Sequence, residues 1–523
     1  MSDTTRVRFS LDGAWRLTLD PADRGRKDRW FERGDAPDSM EVQVPSVWDL
    51  WVPDYDGVGW YYRAFEWEAV PPGRMVELQF EAADYFAEVW LNGVALGAHE
   101  GGYTPFAFPV TDALRAGTNH LWVRIVDPHG PEGYGPFRPR QIPSSKEGGY
   151  WSFAGIWGPV CLESKPVTHI QDVFIEPDIR RKRITVTVQT SEPGIVRLAI
   201  EGTPYGAEIQ PGRHAVDFPE FAMWSPDSPK LYTLRCELLK SGAVSDRLDV
   251  RFGMREFTVK DNRFFLNNRP IFVKGVLHQP DYPRTIAAPV DAAMARRELE
   301  LAKKAGFNLV RLHIKTPPRI TLDLCDEIGL LAYEEPPIGW IEKSQYMKDR
   351  CEREVREMIL RDRNHPSIVI WGMLNETGNA GYITNGGAQT IKDDLCRLAR
   401  SLDPSRIVVD DSGGVNASRE PARFMLPYRE ELEPYDDLHI YQRAPVDRDI
   451  ELYYAYSGDP NRLYFLSEFG FGGMEDLVGT LEQYGEDRTR LKDARFIQAM
   501  LDAARDGFAE RNLDRVFGDF AGF

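Results

Sequence analysis

Short alternations of apolar and polar residues run through the first third of the chain, and no helical period interrupts them. Examples are residues 75–81, 87–91 and 120–126. An Asn92-Gly93 pair separates two such runs, and this dipeptide is a strong signal for a two-residue β-hairpin turn. Evenly spaced strands bounded by turns predict a β jelly roll over residues 1–166.

A second β-rich stretch covers residues 167–257. Residues 183–189 and 231–237 alternate with the period of two that half-buried strands show. The length of this stretch and its density of strands predict a small immunoglobulin-like β-sandwich.

The pattern changes to strand, helix, strand, helix over residues 258–523. This alternation predicts a parallel sheet, and the number of units favours a (β/α)₈ TIM barrel over an open sheet. The predicted strands are 271–277, 308–314, 330–335, 368–375, 406–410, 437–441 and 463–468, and the predicted helices are 290–305, 318–328, 347–363 and 389–401. No eighth strand is evident, so we expect a barrel truncated before its last strand; a poor strand at 516–523 is the alternative.

Two of the predicted barrel strands end in an acidic residue. The runs Ile368-Val-Ile-Trp-Gly-Met-Leu-Asn-Glu376 and Tyr464-Phe-Leu-Ser-Glu-Phe-Gly470 are apolar enough to be buried on both faces. A carboxylate at the end of a buried strand is costly unless it is paired or used. Two such strands predict two carboxylates that face one pocket, which is the minimal machinery for cleaving a glycosidic bond.

Composition narrows the class of function. Of the 523 residues, 42% are hydrophobic and 12% aromatic, as in a packed globular protein. The net charge of −17 and the pI near 5.2 argue against nucleic acid and anionic membrane as partners. No apolar run is long enough to span a bilayer, and residues 1–6 do not begin a signal peptide.

Cysteine usage bears on the compartment. The chain has five cysteines, which are widely spaced and form no CxxC pair: Cys161, Cys236, Cys325, Cys351 and Cys396. We interpret them as reduced core thiols, which predicts a cytoplasmic protein.

The two predicted β-domains followed by a barrel with two strand-end acids resemble glycoside hydrolase family 2, the family of β-galactosidases, β-glucuronidases and β-mannosidases. Residues 82–97, 101–106 and 151–160 are similar to the family's sugar-binding jelly roll. In the barrel, residues 265–278 resemble its first strand, and Arg361-Asp-Arg-Asn-His-Pro-Ser-Ile-Val-Ile-Trp-Gly-Met-Leu-Asn-Glu376 resembles its most specific signature. The second acid follows 468 − 376 = 92 residues later. The resemblance covers nearly the whole chain and implies a retaining exo-β-glycosidase.

The resemblance also implies roles for individual residues. The family carries its acid/base in an Asn-Glu pair on strand four and its nucleophile on strand seven, which implies Glu376 and Glu468 here. Asn375 would bond the sugar 2-hydroxyl, and Tyr441 would contact the nucleophile. Retention requires carboxyl groups about 5 to 5.5 Å apart. The pKa of the acid should be raised by burial and by the neighbouring negative charge.

Further residues near the predicted strand ends could serve either the substrate or the packing. We interpret Arg311 as an inward-pointing charge that keeps the nucleophile ionised, with a structural salt bridge as the alternative. The candidate substrate contacts, each with a core or rim position as the alternative, are His278, His313, His439, Trp340 and Trp371. Acids that could bind hydroxyls or only form rim charges are Asp281, Glu334, Glu335, Asp410 and Asp411.

Two other classes of protein stay open. A metal-dependent barrel hydrolase would favour clustered ligands such as His-x-His, which the nine histidines do not form. A catalytically silent carbohydrate-binding relative is the second. We predict no metal ligand and no required cofactor, although some relatives bind magnesium or sodium at a place this sequence does not reveal. The expected partner is a carbohydrate of β-galactoside or β-glucuronide type, and a homo-oligomer stays open.

Overall fold

The computed structural model describes residues 5–53, 55–128, 134–137, 141–142, 152–282, 284–339, 344–377, 387–413, 435–440 and 463–469. Two antiparallel β-sandwiches are followed along the chain by a region of parallel strands and helices.

The first sandwich is built from two antiparallel sheets. It contains β1 (Val7–Ser10), β2 (Gly13–Leu19), β3 (Met40–Val44), β4 (Gly57–Trp67), β5 (Arg74–Phe80), β6 (Phe86–Leu91), β7 (Val94–Glu100), β8 (Phe106–Pro109), β9 (Gly117–Asp127) and β10 (Val160–Pro166), with short 3-10 helices at Trp30–Glu32 and Trp48–Leu50. The sheet orders are β1-β10-β5-β8 and β3-β2-β4-β9-β6-β7. Side chains such as Leu17, Leu78 and Val123 fill the core between them. The predicted hairpin between β6 and β7 is confirmed, with φ of 53° at Asn92 and 82° at Gly93.

The second sandwich is immunoglobulin-like. Its strands are β11 (Ile170–Asp178), β12 (Arg183–Thr190), β13 (Ile195–Ile200), β14 (Gly206–Ile209), β15 (Gly212–Asp217), β16 (Trp224–Ser225), β17 (Ser228–Pro229), β18 (Tyr232–Lys240) and β19 (Ala243–Phe252). The main sheets have the orders β11-β12-β15 and β14-β13-β18-β19. Every second residue of β13 is buried, as the period of two predicts. The exact domain limits 1–166, 167–257 and 258–523 stay predictions.

The third region has the architecture of a TIM barrel. An antiparallel layer of β20 (Phe257–Lys260), β21 (Arg263–Leu266) and β22 (Arg269–Pro270) precedes β23 (Gly275–His278), β24 (Leu309–Leu312), β25 (Leu331–Glu334), β26 (Ile368–Gly372), β27 (Ile407–Val409), β28 (Asp436–Ile440) and β29 (Tyr464–Phe469). The helices are α1 (Ala292–Lys304), α2 (Arg319–Ile328), α3 (Gln345–Asp362) and α4 (Gly387–Leu402). Strands β23 to β27 form a parallel sheet in chain order, and β28 and β29 form a parallel pair.

The strands and helices predicted for this region are all present in the described residues, with ends that differ by up to four residues. Helix starts follow the capping chemistry of the sequence. The side chain of Asp291 accepts a hydrogen bond from Met294 N at the start of α1, and Ser344 does the same for Met347 N at α3. Residues 516–523, the alternative candidate for an eighth strand, lie outside the described residues. Truncation of the barrel therefore stays a prediction.

Contacts from both sandwiches hold the barrel segment around β26. The Arg255 guanidinium donates to the carbonyl oxygens of Pro366 (3.0 Å) and Ile368 (2.6 Å), at the start of this strand. Asn364 exchanges hydrogen bonds with the backbone of β11. On the other side, Thr104 of the first sandwich donates to Glu357 of α3 at 2.5 Å. The strand that leads to Glu376 is therefore fixed from outside the barrel as well as from within.

The five cysteines are unpaired; Cys161 is half-buried and the other four are buried. Within the described ranges, none of the helices combines the length and the apolar character needed to cross a bilayer.

Trp371 does not fill its predicted role as a substrate contact. Its side chain is fully buried among residues that face the barrel helices, and its Nε1 donates to Asp403 Oδ2 at 2.9 Å. The Arg406 guanidinium lies 5.6 Å from the centre of its ring and also bonds Asp403. Trp371 is thus a core residue that joins β26 to the segment before β27.

We expect Trp371→Phe to lower the stability of the barrel by about 1 to 3 kcal/mol, because buried Asp403 loses a donor. Thermal unfolding followed by near-UV circular dichroism measures the effect. Trp51→Phe is the matched control: Trp51 is exposed and its Nε1 bonds the Ser46 hydroxyl, so its midpoint should stay close to that of the wild type. Equal midpoints for the two variants would contradict the core assignment of Trp371.

Candidate active site

Several of the predicted site residues lie together at the carboxyl ends of the barrel strands, where TIM-barrel sites form. Arg311 lies on β24, and Glu335 follows β25 directly. Asn375 and Glu376 follow β26, while His439 and Glu468 lie on β28 and β29. Residues from five strands therefore converge on one place, although they are up to 157 positions apart in the sequence.

Arg311 is the centre of this cluster. It is 2% exposed, and its guanidinium binds Glu335 in a two-point contact, at 3.0 Å from Nε and 2.8 Å from Nη2. Nη1 donates to Glu468 Oε1 at 2.7 Å, and Nη2 donates to Asn375 Oδ1 at 2.8 Å. A planar guanidinium with donors in fixed directions suits this task better than a lysine would. Arg311 thus sets the positions of three side chains at once.

Glu468 is held as an ionised carboxylate. Its Oε1 lies 2.7 Å from Arg311 Nη1, 3.2 Å from His313 Nε2 and 3.4 Å from His439 Nε2. Burial raises the pKa of Glu468, but the hydrogen bond from His313 and the charges of Arg311 and His439 outweigh burial and leave this pKa well below its usual value. Glu468 is therefore negatively charged at neutral pH.

Glu335 is the second carboxylate that pairs with the Arg311 guanidinium. It is 1% exposed, and burial raises its pKa although Arg311 acts in the opposite direction. Both of its oxygens accept hydrogen bonds from Arg311. This carboxylate therefore orients the guanidinium and does not face the cavity.

The backbone turns sharply at Glu376. Its φ is +53°, in the left-handed region that side chains other than glycine rarely adopt. The strand is held on both sides up to this point, because Asn375 N donates to Ile338 O (3.2 Å) and Glu376 N donates to Ser412 O (2.9 Å). Thr377 is then fixed to Asp411 through its backbone and its hydroxyl. The turn aims the Glu376 side chain at β28 and β29.

Glu376 and Glu468 face each other. One oxygen of Glu376, one ring nitrogen of His439 and one oxygen of Glu468 all lie within 4.8 Å of one another. The side chain of Glu376 is 23% exposed and that of Glu468 is 6% exposed. Two carboxylates thus border one place, as expected from the two strand-end acids, but the burial expected for Glu376 is incomplete.

His439 lies between these carboxylates. Its Nδ1 is 2.7 Å from Glu376 Oε1, and its Nε2 is 3.1 Å from the Ser412 hydroxyl. Ser412 donates in turn to Asp437 Oδ1 at 2.8 Å, and Ser467 donates to the same oxygen.

The remaining candidates differ in their placement. His313 reaches Glu468, as described, and its Nδ1 is 3.2 Å from Gln279 Nε2. His278 lies at the end of β23 with Nε2 3.6 Å from Glu298, and no described contact joins it to Glu376 or Glu468. Trp340 and Tyr441 lie outside the described residues. Asp410 and Asp411 follow β27, where Asp411 pairs with Lys392 at 2.5 Å.

Some site residues carry a weaker sequence signal. Glu335 ends an apolar strand just as Glu376 and Glu468 do, so the same pattern could have marked it as more than a rim charge. Ser412 and Asp437 carry no comparable signal. A serine in the loop after a strand and an acidic residue at the start of a strand are both common and indicate no particular function.

A metal-dependent hydrolase would need a cation close to Glu376, His439 and Glu468. Arg311 already supplies a positive charge there, since its Nη1 is 2.7 Å from Glu468 Oε1 and 3.2 Å from His439 Nε2. A second cation at the same point would be repelled by the buried guanidinium. The arrangement favours acid–base and nucleophilic chemistry.

Comparison with known protein families gives the same family for all three regions of the chain. Residues 9–166 match the family described as glycosyl hydrolases family 2, sugar binding domain; residues 168–255 match glycosyl hydrolases family 2; and residues 257–521 match glycosyl hydrolases family 2, TIM barrel domain.

Several relatives are similar over most of the chain. A putative β-glucuronidase of Formosa agariphila is 28% identical over 456 residues, which cover 79% of this chain and 40% of the relative. A β-galactosidase of Thermoanaerobacter pseudethanolicus is 28% identical over 420 residues, which cover 73% of this chain and 51% of the relative. This chain thus spans about half the length of these relatives. The crystal structure of Ruminococcus gnavus β-glucuronidase aligns with a TM-score of 0.77 at 20% identity, covering 94% of this chain and 90% of that one, and supports the fold.

Arg311→Met should destabilise the protein by about 3 to 5 kcal/mol, because Glu335 and Glu468 lose the cation that compensates their buried charge. Glu468 has a lowered pKa, so its contribution is present in full above the usual glutamate value of about 4.3 and is lost as the pH falls below it. The loss in the variant should therefore be larger at pH 7 than at pH 4, as urea unfolding can measure. Arg197→Met, at an exposed arginine paired with Glu208, is the control and should change little. A loss that does not depend on pH would contradict this account.

Proposed function

Because this chain belongs to glycoside hydrolase family 2, we propose that it is a retaining exo-β-glycosidase that releases a terminal β-linked sugar of galactoside or glucuronide type. The observation that carries the proposal is the approach of the Glu376 and Glu468 oxygens to within 4.8 Å, at the carboxyl ends of the barrel strands.

The short separation of the carboxylates supports retention. Retaining enzymes hold their carboxyl groups about 5 to 5.5 Å apart, whereas inverting enzymes need about 6.5 to 9.5 Å to admit a water molecule between acid and base. One oxygen of Glu376 lies within 4.8 Å of one oxygen of Glu468, which is closer to the spacing of retaining enzymes than to that of inverting enzymes. A double displacement through a covalent glycosyl intermediate fits this spacing.

Glu468 suits the role of nucleophile. It is buried, and its lowered pKa keeps it ionised across the neutral range. In the first step one of its oxygens forms a bond to C1 of the sugar, while the bond from C1 to the leaving oxygen breaks and its electron pair goes to that oxygen. A proton from Glu376 neutralises the leaving group. In the second step water attacks C1, gives a proton to Glu376, and the bond to Glu468 breaks.

Asn375 suits a contact with a sugar hydroxyl. Its Oδ1 accepts from Arg311 Nη2 at 2.8 Å, and an arginine can only donate, so the side-chain oxygen must face Arg311. The amide nitrogen then points to the other side, one residue before Glu376. A hydrogen bond from this nitrogen to the 2-hydroxyl would strengthen in the transition state.

Glu468→Ala should lower kcat/KM for aryl β-glycosides by about 10⁴-fold or more, because no covalent intermediate can form. The measurement is release of 4-nitrophenol from the β-D-galactoside and the β-D-glucuronide, which also identifies the sugar. Proton NMR of the first-formed product of the wild type should show the β-anomer. The α-anomer would exclude retention, and sugar binding without turnover would identify a catalytically silent relative.

Glu376→Ala should lower kcat/KM for a phenyl β-glycoside by about 10² to 10⁴-fold. Cleavage of the 2,4-dinitrophenyl glycoside in the first step should keep its rate, because that leaving group departs without a proton. The wild type should show a bell-shaped dependence of kcat/KM on pH, with the rising limb set by ionisation of Glu468. The falling limb, set by loss of the acid's proton, should be absent in Glu376→Ala. Equal slowing of both substrates would argue against Glu376 as the acid.

A further inference from the structure

The backbone of Glu376, the proposed acid/base, is strained. Its φ of +53° lies in the left-handed region, which residues other than glycine rarely adopt. Such a conformation persists only where the surrounding structure determines it. The contacts that hold residues 376 and 377 therefore decide where the Glu376 carboxyl group lies.

The N-terminal side of Glu376 is held by backbone hydrogen bonds to the segment that follows β27. These bonds continue the pairing of β26 and β27 beyond the ends of the two strands. Met373 N donates to Val409 O (2.9 Å), Ser412 N donates to Leu374 O (2.8 Å), and Glu376 N donates to Ser412 O (2.9 Å). The last of these bonds ends at the amide nitrogen of Glu376, so together they fix the peptide before this residue.

The C-terminal side of Glu376 is held by the carboxylate of Asp411. Thr377 N donates to Asp411 Oδ1 at 3.1 Å, and the Thr377 hydroxyl donates to Asp411 Oδ2 at 2.7 Å. Because both donors belong to one residue, these bonds fix the orientation of Thr377 and of the peptide that joins it to Glu376. Asp411 and Ser412 are consecutive, so one short segment after β27 holds Glu376 on both sides.

A buried lysine holds Asp411 in turn. Lys392 Nζ, from α4, lies 2.5 Å from Asp411 Oδ2, and each of the two side chains is 2% exposed. The lysine compensates the buried charge of the carboxylate, which would be costly alone. Oδ2 therefore accepts from both Lys392 and Thr377, and its position is determined by α4 as well as by β27.

We propose that Asp411 is a positioning residue for the general acid: through Thr377 it holds the backbone of Glu376 in the left-handed conformation that places the carboxyl group at the leaving oxygen. This role rests on the proposed glycosidase function. Glu376 must give its proton to the leaving oxygen while the bond from that oxygen to C1 breaks, and the transfer requires a distance of about 2.6 to 3.2 Å between the two oxygens. Rotation of the Glu376 backbone would move the carboxyl group out of this range.

The proposed nucleophile is held by other residues. Glu468 Oε1 lies close to Arg311 on β24, to His313 directly after that strand and to His439 on β28. These contacts come from a different part of the barrel and do not pass through Thr377. Loss of the contact between Asp411 and Thr377 should therefore impair proton donation and leave the attack of Glu468 on C1 intact.

Thr377→Val tests the proposal with a small change, because valine removes the hydroxyl and keeps the shape, the backbone bond to Asp411 and the pair of Asp411 with Lys392. We expect kcat/KM for a phenyl β-glycoside to fall about 10-fold or more, while the 2,4-dinitrophenyl substrate, whose leaving group needs no proton, stays within about threefold of the wild type. Thr377→Ser keeps the hydroxyl and should restore the phenyl substrate to within about threefold of the wild type.

Thr118→Val is the matched control. The Thr118 hydroxyl also donates to a carboxylate, that of Glu66 in the first sandwich, at 2.5 Å. This variant should leave kcat/KM for both substrates unchanged. Equal slowing of the two substrates by Thr377→Val, or no slowing of either, would overturn the proposal.

The double variant with Glu376→Ala shows which group Thr377 and Asp411 act through. If they position Glu376, Thr377→Val should add no further loss for the phenyl substrate once residue 376 is alanine. The same loss in both backgrounds would show that they act on another part of the site, and this result would overturn the proposal.

A structural measurement keeps the proposal testable without turnover. Asp411→Leu combined with Lys392→Met replaces the whole buried pair by apolar side chains of similar size, a change that proteins often tolerate. Its crystal structure should show Glu376 with a negative φ, because Thr377 has lost both acceptors. A φ that stays near +53° would overturn the positioning role. A negative φ in the variant, together with a wild type that hydrolyses no glycoside, would support the positioning of Glu376 and overturn only the glycosidase function.

Discussion

A guanidinium buried to 2% exposure must have its charge and its donors satisfied, and this constraint organises the functional end of the barrel around Arg311. Glu335, Asn375 and Glu468 come from three other strands and each accepts from it. If any one of these strands shifted along its neighbour, a partner would be lost and a charge would be left alone in the interior. The arginine therefore fixes strand register and carboxylate position through the same contacts, so that stability and site geometry depend on each other.

Much of the fold follows from periodicity. The Asn92-Gly93 turn, the period of two in β13 and the strand–helix alternation after residue 258 each correspond to an observed element. Strand ends were less predictable. The first barrel strand begins at Gly275 rather than at residue 271, because the preceding residues leave the antiparallel layer before they can join the parallel sheet. Such limits depend on tertiary contacts that local sequence does not contain.

The site was predictable where a residue type conflicts with its surroundings. An acid at the end of an apolar strand stands out, and Glu376 and Glu468 do meet. For Trp371 the sequence left a sugar contact and core packing open, because an aromatic residue can face either side of a barrel strand and only the sheet geometry decides which; the structure places Trp371 in the core. The link from His439 through Ser412 to Asp437 could not be foreseen, because it joins hydrogen-bonding groups from separate strands and depends on ångström distances.

The left-handed backbone at Glu376 has a consequence for how this position can change. A residue other than glycine in this conformation costs roughly 1 to 2 kcal/mol, and glycine avoids the cost. Selection for thermal robustness alone would thus tend to replace the carboxylate with the smallest amino acid. Directed evolution toward heat tolerance should accordingly be screened for turnover in every round, since the simplest stabilising change at this position also removes the proposed acid/base.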